Sequence, residues 1–400
     1  MSPASRSAGP LRGAGALALA ALPLAMAAAN RSSPAVMALS AVLFLAAALV
    51  EDRRAALASL VAPFRTATGL VALAFLGWCG VSLAWSPFPS LSLRTAGEFG
   101  PTLLAAYLVA RLAPGRMPPG TALAAAWMLG LAGLYIVADL AADLAVQKAI
   151  GARVAYFIFN RPVLTILLIV GPLAALLVRR GHRLAAGLAG FLSVAAILSS
   201  VSGAATLGLL AGAGLALAAR LLPRRAGLGL TGVILALAVA LAPVEGDLLH
   251  RLMPEAAHER LVQSSSRARV AIARSFGAAV AADPWRGAGY GTAGRFSQTP
   301  VTDAIAPDWR GMLAVGHPHN SFLQVWAELG LVGAGLMAAL LFLVLRAVAA
   351  LPRLQAVTAL GLLGAATAVA FVEHGAWQGW WVAGLGAAVT WLREGWVDAA

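Results

Sequence analysis

Residues 316–345 read GHPHNSFLQVWAELGLVGAGLMAALLFLVL. The later part of this stretch is apolar for about the 17 to 25 residues with which a helix crosses a bilayer. The earlier part carries five polar side chains: His317, His319, Asn320, Gln324 and Glu328. Polar groups are costly in hydrocarbon unless paired or hydrated, and on a helix every fourth residue from 320 to 328 forms one polar stripe, with His319 about 100° away at the same end. The stretch therefore predicts a transmembrane helix that begins at a functional site.

The composition of the whole chain is that of a polytopic membrane protein. Of its 400 residues, 60% are hydrophobic and 11% are charged, and the mean hydropathy is +0.84, far outside soluble usage. We predict an all-α fold of about twelve transmembrane helices, with apolar runs near 14–30, 34–50, 69–85, 100–113, 120–138, 156–178, 184–200, 204–222, 226–243, 319–345, 355–372 and 376–392. The first run ends in three alanines, as a cleavable signal does, but we expect it to remain as a span.

The basic residues give an orientation, because cytoplasmic loops retain Lys and Arg during insertion. With the N-terminus inside, alternate segments hold most of them: Arg6, Arg12, Arg53, Arg54, Arg65, Arg111, Arg116, Arg179, Arg180, Arg183, Arg220, Arg224, Arg225, Arg346, Arg353 and Arg393. The short loops between these segments hold only Arg31, Arg94, Lys148 and Arg153. We therefore expect both termini in the cytoplasm. The net charge of +13 reflects topology and contact with the phospholipid bilayer rather than nucleic-acid binding.

One long polar segment interrupts the spans and divides the chain into three parts. We predict transmembrane helices 1–9 in residues 1–243, an extracytoplasmic (periplasmic) helical loop domain in 244–318, and helices 10–12 with a short cytoplasmic tail in 319–400. The loop domain contains eight arginines and seven acids, so its charges nearly balance. Any anion binding there must come from local clustering.

Cysteine and metal chemistry are weakly supported. The lone cysteine, Cys79, lies in a predicted span, so no disulfide framework exists. His317 and His319 form an H-x-H pair, but no cysteine or convergent carboxylate set supplies further metal ligands. The chain also has no P-loop, no convincing dinucleotide fingerprint and no G-x-S-x-G elbow. We expect neither a metal nor a cofactor.

Arginines and a histidine at an outer membrane face, without nucleotide motifs, suit a lipid diphosphate sugar as substrate. Its pyrophosphate is well bound by the fixed, bidentate charge of arginine. The first turn of the helix at 319 adds free N–H groups and a positive dipole potential. The same potential favours a neutral His319, which can accept a proton.

Several segments, taken in chain order, are similar to those of one protein family. They are AWSPFPSLSL at 84–93, FNRP at 159–162, SRAR at 266–269 with DPWRGAGYG at 283–291, HPHN at 317–320 with ELGLVG at 328–333, and WQGWW at 377–381. Over about residues 70 to 392 the chain resembles the superfamily of O-antigen ligases and polymerases, which are bacterial membrane glycosyltransferases. The last two segments favour the ligase branch. The resemblance implies a GT-C-like architecture.

The resemblance also implies catalytic residues. His319 matches the histidine that acts as base or activates the acceptor, Arg269 matches the loop arginine, with Arg267 as the alternative, and Arg161 matches the arginine of the Asn-Arg segment. In one place the chain departs from the family: many members read Ser-x-Ser-Arg at the start of a middle span, whereas residues 200–204 read SVSGA. Arg161 or Arg153 would then replace the missing arginine.

The implied reaction transfers a polysaccharide from undecaprenyl diphosphate to a lipid A-core sugar at the periplasmic side of the inner membrane, without metal and with inversion. Further expected substrate-binding residues are Asn320, Gln324, Arg267, His317, Glu328, Trp377 and Gln378. Glu328 lies about 13 Å along the helix from His319, so we expect it to pair with an arginine of another span. For Trp377, an interfacial aromatic belt is the simpler interpretation.

Other functions remain open. An O-antigen or exopolysaccharide polymerase, or a protein O-oligosaccharyltransferase, would use the same residues with a different acceptor. A flippase or exporter of the lipid-linked sugar would also be polytopic and arginine-lined, but transporters usually show paired repeats and broken helices in both halves. We find no such repeat, and the single loop domain favours an enzyme.

Overall fold

The computed structural model describes residues 3–151, 154–260, 265–373 and 375–397. Within these ranges every regular element is helical. The α-helices are α1 (Pro3–Ala28), α2 (Ser33–Val61), α3 (Ala67–Val81), α4 (Pro89–Leu112), α5 (Thr121–Ala141), α6 (Ala145–Ala149), α7 (Asn160–Arg179), α8 (Arg183–Ser199), α9 (Gly203–Leu221), α10 (Arg224–Ala240), α11 (Glu245–Leu252), α12 (Glu255–Arg260), α13 (Ser266–Ala282), α14 (Pro307–Arg310), α15 (Ser321–Ala349), α16 (Arg353–Val372) and α17 (Gly379–Val397).

The prediction of an all-α polytopic membrane protein is confirmed. Each of the twelve predicted apolar runs corresponds to one long helix. In the described part of the chain, eight helices are long and apolar enough to cross a membrane, or nine if the pair α10 and α11, bent by 54°, counts as one span. The helix α8 is apolar but shorter. Twelve spans therefore remain a prediction, and eight or nine of them meet these criteria of length and composition in the described residues.

Small residues allow the membrane helices to pack closely. The pair α9 and α16 is the clearest case, since a Cβ atom added to Gly212 would lie 2.9 Å from the backbone oxygen of Gly361. Without a hydrophobic driving force in lipid, such close backbone approach is a main source of helix association. A larger cluster of buried side chains joins α1, α2, α4, α5, α7, α8 and α17.

The helix α15 is broken at Gly330, whose φ of 61° and ψ of −161° are not helical. Three donors satisfy the carbonyls freed by this break: the Ala288 N–H donates to Ala327 (2.9 Å), the Gly289 N–H to Glu328 (2.8 Å) and Trp78 Nε1–H to Leu329 (2.9 Å). In a membrane every freed backbone group needs such a partner. The loop that covers the break therefore supplies two of the three hydrogen bonds that replace those lost in the helix.

That loop, residues 284–293, is rich in glycine. Its three glycines all have positive φ, and each lies against another part of the chain: Gly287, Gly289 and Gly291. A Cβ atom on Gly287 would lie 2.5 Å from the backbone of Glu328. Only glycine combines this conformation with so close an approach.

The segment between α10 and α15 packs on the first half of α15. Its buried cluster contains Phe276 and Phe296, whose ring centroids are 4.9 Å apart, and extends to Phe322 and Leu323 of α15. This packing fixes α13, which carries Arg269, beside the start of α15, which follows His319.

Candidate functional site

His319 lies in a strained backbone turn just before α15. Its φ is 54°, in the left-handed region that residues other than glycine seldom adopt. The next residue, Asn320, caps the helix: its Oδ1 accepts from the N–H groups of Phe322 (2.8 Å) and Leu323 (3.1 Å). Its Nδ2 donates to Glu245 Oε2 at 2.6 Å. The cap and the carboxylate of Glu245 together hold the turn that presents the imidazole.

Two cavities meet at this imidazole. The first, which we call the α13 cavity, has a volume of about 460 Å³ and includes Glu245 and Arg269 in its lining. The second, the α7 cavity, has a volume of about 490 Å³ and includes Arg31, Arg161 and Trp380. The residues common to both linings are Asn160, His319 and Glu373. His319 therefore stands on the boundary and faces both.

Arg269 is held at the wall of the α13 cavity by the end of α16. Its guanidinium donates to Glu373 Oε2 at 2.8 Å and to the backbone carbonyl of Val372. The side chain remains 31% exposed, so part of the guanidinium stays accessible from the cavity. A fixed, partly exposed guanidinium offers positive charge to an anionic substrate group.

The electrostatics keep the two histidines neutral. Burial lowers the pKa of His319, the positive charge of Arg269 lowers it further, and a hydrogen bond to the backbone carbonyl of Glu373 opposes both. Burial likewise lowers the pKa of His317 to about 4, with the charges of His319 and Arg269 acting in the same direction. The His317 Nδ1 accepts the backbone N–H of His319 at 3.2 Å.

Burial and the charge of Arg269 thus favour a neutral His319. A neutral imidazole has a lone pair on one of its two nitrogens. His319 can therefore accept a proton.

Arg161 lies across the boundary from Arg269, in the α7 cavity. Its guanidinium lies 5.5 Å from the ring centroid of Trp380, a cation–π contact. His317 and Gln378, both expected to bind substrate, line the same cavity. The three expected catalytic residues thus adjoin one site, but Arg161 and Arg269 belong to different cavities.

The structure places the other expected site residues away from both cavities. Gln324 and Glu328 are buried within the fold: Gln324 Oε1 accepts from the Ala376 N–H at 2.8 Å, and its Nε2 donates to Glu328 Oε1 at 2.9 Å. Asn320 is the helix cap described above. Arg267 is exposed and pairs with Glu255.

The expectation that Glu328 pairs with an arginine is wrong. Its carboxylate instead accepts from four neutral donors, namely Gln324 Nε2, Trp377 Nε1 (2.6 Å), the Gly291 N–H (2.7 Å) and the Ala293 N–H (2.9 Å). A carboxylate can accept several hydrogen bonds at once, so neutral donors saturate it without a cation. The ring of Trp377 packs on Phe75, Phe99 and Tyr290, and Trp377 lines neither the α13 cavity nor the α7 cavity.

Four residues of the site were not identified from the sequence: Arg31, Asn160, Glu245 and Glu373. In the sequence Arg31 is recognisable only as a loop charge. Glu245 and Glu373 lie at helix ends, like ordinary flanking residues. Asn160 was visible in the FNRP segment. Arg153, the alternative to Arg161, lies outside the described residues.

No metal centre is formed by the described residues, where no three His, Cys, Asp or Glu side chains cluster with suitable spacing. The chemistry that this arrangement offers is proton transfer by a neutral imidazole between two cavities, each with arginine in its wall. Such a site fits the transfer of a group from an anionic leaving group to a hydroxyl.

Comparison with known proteins agrees with this chemistry. Residues 188–338 match the protein family described as O-Antigen ligase. The matched range contains Arg269 and His319, whereas Arg161, Trp377 and Gln378 lie outside it. The match supports the O-antigen ligase and polymerase superfamily without distinguishing the ligase branch. Among curated proteins the chain has no significant match.

Proposed function

Since the chain carries the O-antigen ligase family's domain at residues 188–338, we propose that it transfers a polysaccharide from undecaprenyl diphosphate to a sugar hydroxyl of the lipid A core. The observation that carries this proposal is the position of His319, a neutral base on the boundary between two arginine-bearing cavities. The charge bias of the loops supports a site on the periplasmic side of the inner membrane, with both termini in the cytoplasm.

The proposed step is an in-line displacement at the anomeric carbon of the donor sugar. The acceptor oxygen forms the new bond to that carbon as its proton passes to the imidazole of His319. The bond from the carbon to the diphosphate oxygen breaks, and the diphosphate leaves with the electron pair. Arg269 would stabilise the charge that grows on this leaving group, an interaction that strengthens in the transition state and so raises the rate.

An apolar groove supports a polyprenyl donor. It has a volume of about 500 Å³ and is lined by side chains of α9, α10 and α16. Leu207 and Phe371 line both this groove and the α13 cavity, so the two adjoin. A polyprenyl chain in the groove would bring its diphosphate to Arg269, because tail and diphosphate are directly linked.

Gene deletion tests the proposal in the cell. The strain without the gene is examined for its lipopolysaccharide on a gel and complemented with wild type or His319→Ala. We expect rough lipopolysaccharide and retained lipid-linked polymer in the deletion strain, rescued by wild type and not by His319→Ala. The matched control is His250→Ala, an exposed histidine of α11 outside both cavities, which should rescue fully.

The same gel separates the remaining functions. A normal ladder in the deletion strain would refute the ligase proposal. A core capped with a single repeat would indicate a polymerase. Loss of the polymer from the periplasmic face, with accumulation of lipid-linked sugar on the cytoplasmic face, would indicate a flippase.

A further inference from the structure

The α7 cavity carries an excess of positive charge. Arg31 and Arg161 both line it, and among the described residues neither forms an ion pair with an acid. The one acid in its lining, Glu373, is already bound by Arg269. Two unpaired guanidinium groups in one polar cavity favour an anionic ligand.

Contacts between distant segments assemble the cavity. In the turn between α1 and α2, Asn30 Nδ2 donates to the carbonyl of Ile158 at 3.2 Å, which fastens the turn that carries Arg31 to the segment before α7. Arg161 lies over Trp380, whose Nε1 donates to Gln378 Oε1 at 2.5 Å. The cavity is thus lined by four distant parts of the sequence, and the contact with Trp380 orients the guanidinium of Arg161.

The position of the cavity indicates which substrate this anionic ligand is. The apolar groove adjoins the α13 cavity, and its lining has no residue in common with the α7 cavity. The donor diphosphate therefore belongs beside Arg269. In an in-line displacement the attacking hydroxyl lies opposite the leaving group, which places the acceptor on the other side of His319, in the α7 cavity.

We propose that the α7 cavity is the acceptor subsite, and that Arg31 and Arg161 select an acceptor that carries a phosphate or carboxylate group close to the reacting hydroxyl. This inference rests on the proposed function for the identity of the two substrates. Trp380 positions Arg161 through the cation–π contact between them.

Kinetics with the reconstituted protein test the subsite. The acceptor is lipid A-core from the deletion strain, used intact, dephosphorylated with hydrofluoric acid, or with its carboxyl groups reduced. Arg31→Gln is the main variant, since Arg31 is exposed and its loss should spare the fold. Arg94→Gln is the control, because Arg94 is an exposed arginine of α4, 77% accessible, that pairs with Glu98 outside the cavity.

We expect Arg31→Gln to raise the KM for intact acceptor on the order of tenfold, the usual effect of losing one charged hydrogen bond, and to leave the KM for donor unchanged. Removal of the anionic group of the acceptor should raise the KM of wild type for the acceptor by a similar factor. It should leave the KM of Arg31→Gln for the acceptor unchanged. The modified acceptor that shows this non-additivity identifies phosphate or carboxylate as the recognised group.

A binding experiment separates failure of this inference from failure of the proposed function. Glucose 6-phosphate, glucuronate and glucose are titrated onto the protein in nanodiscs, with geranylgeranyl diphosphate as the donor-side probe. We expect an anionic sugar to bind about tenfold more tightly than glucose, and this preference to disappear in Arg31→Gln. It would persist even if the protein transferred no polysaccharide. Weaker binding of geranylgeranyl diphosphate to Arg31→Gln, or an unchanged preference for the anionic sugar, would overturn the inference.

Discussion

His319 combines two properties that a general base needs, a fixed position and a neutral charge. The position comes from a left-handed turn held by the Asn320 cap and by Glu245. The charge state comes from burial and from the nearby Arg269, which both lower the pKa of the imidazole. Both properties support the proposal that His319 acts as the general base.

The pH dependence of kcat/KM tests this charge state. A base must be unprotonated, so the rate falls as the pH decreases through the pKa of His319 in the free enzyme. Because that pKa is lowered, we expect full activity to extend below pH 6.5, roughly the ordinary histidine value. In Arg269→Gln one cause of the lowering is removed, so the acid limb of the residual activity should move to higher pH. An acid limb that stays in place would show that Arg269 does not act on His319.

The chemistry required of Arg269 is tested by conservative substitution. Its guanidinium bridges the Val372 carbonyl and Glu373, which the single ammonium group of lysine cannot reproduce in the same geometry. We expect Arg269→Lys to lower kcat on the order of tenfold to a hundredfold, the effect of losing charge-assisted hydrogen bonds worth about 1.5–3 kcal/mol. Arg267→Lys, two residues away and exposed, should stay near wild type. Equal rates for the two variants would contradict the assignment of Arg269.

At the scale of elements, the site depends on the broken helix α15 and the glycine loop that covers the break. The loop supplies backbone donors to α15, and Glu328 returns two acceptor oxygens to the loop at Gly291 and Ala293. Glu328 thus joins the loop domain to the membrane helix. The hydrogen bonds of its carboxylate are made to groups of the fold, which supports a structural role for Glu328.

Substitution of Gly330 tests this coupling. A Cβ atom there would lie 2.3 Å from the Trp285 carbonyl oxygen, and the residue has φ of 61°, so Gly330→Ala should destabilise the fold by about 1–3 kcal/mol. The matched control is Gly335→Ala on the same helix, where an added Cβ has nothing within 4 Å. Thermal unfolding of the purified protein in detergent measures both. A Tm for Gly330→Ala within error of Gly335→Ala would contradict the break.

The sequence predicted the helices of this fold and the start of the site, but not the contacts between them. Alternation of apolar runs and basic loops located all twelve long helices, and the spacing of Asn320, Gln324 and Glu328 located one polar stripe. The partners of that stripe, Glu245, Ala376 and Gly291, lie far away in the chain. Local periodicity cannot identify them. Gly330 was also hidden, because glycine is common in unbroken membrane helices.

For the whole molecule, the proposed function requires the loop domain and His319 to lie on the periplasmic side. The chain has a single cysteine, the buried Cys79, so introduced cysteines can be labelled with little background. We expect a membrane-impermeant maleimide applied to spheroplasts to label His250→Cys and not Arg225→Cys, which should react only after permeabilisation. The reverse pattern would place the site in the cytoplasm and contradict the orientation.

The two cavities are suited to different substrates. The α13 cavity adjoins an apolar groove suited to a lipid tail, and the α7 cavity has two unpaired arginines suited to a charged sugar. His319 belongs to both linings and is the residue at which the two substrates would react. We therefore propose that His319 accepts the proton of the acceptor hydroxyl.

A transfer assay with the purified protein tests this role of His319. Purified protein is mixed with undecaprenyl diphosphate-linked polysaccharide and lipid A-core in the presence of EDTA and without nucleotide, and the product is followed on a gel. We predict transfer by wild type and by His250→Ala, and a rate lower by a factor of about 10² to 10⁴ for His319→Ala, the range for loss of a general base. A transfer rate of His319→Ala within a few-fold of the wild-type rate would contradict the role of His319 as general base.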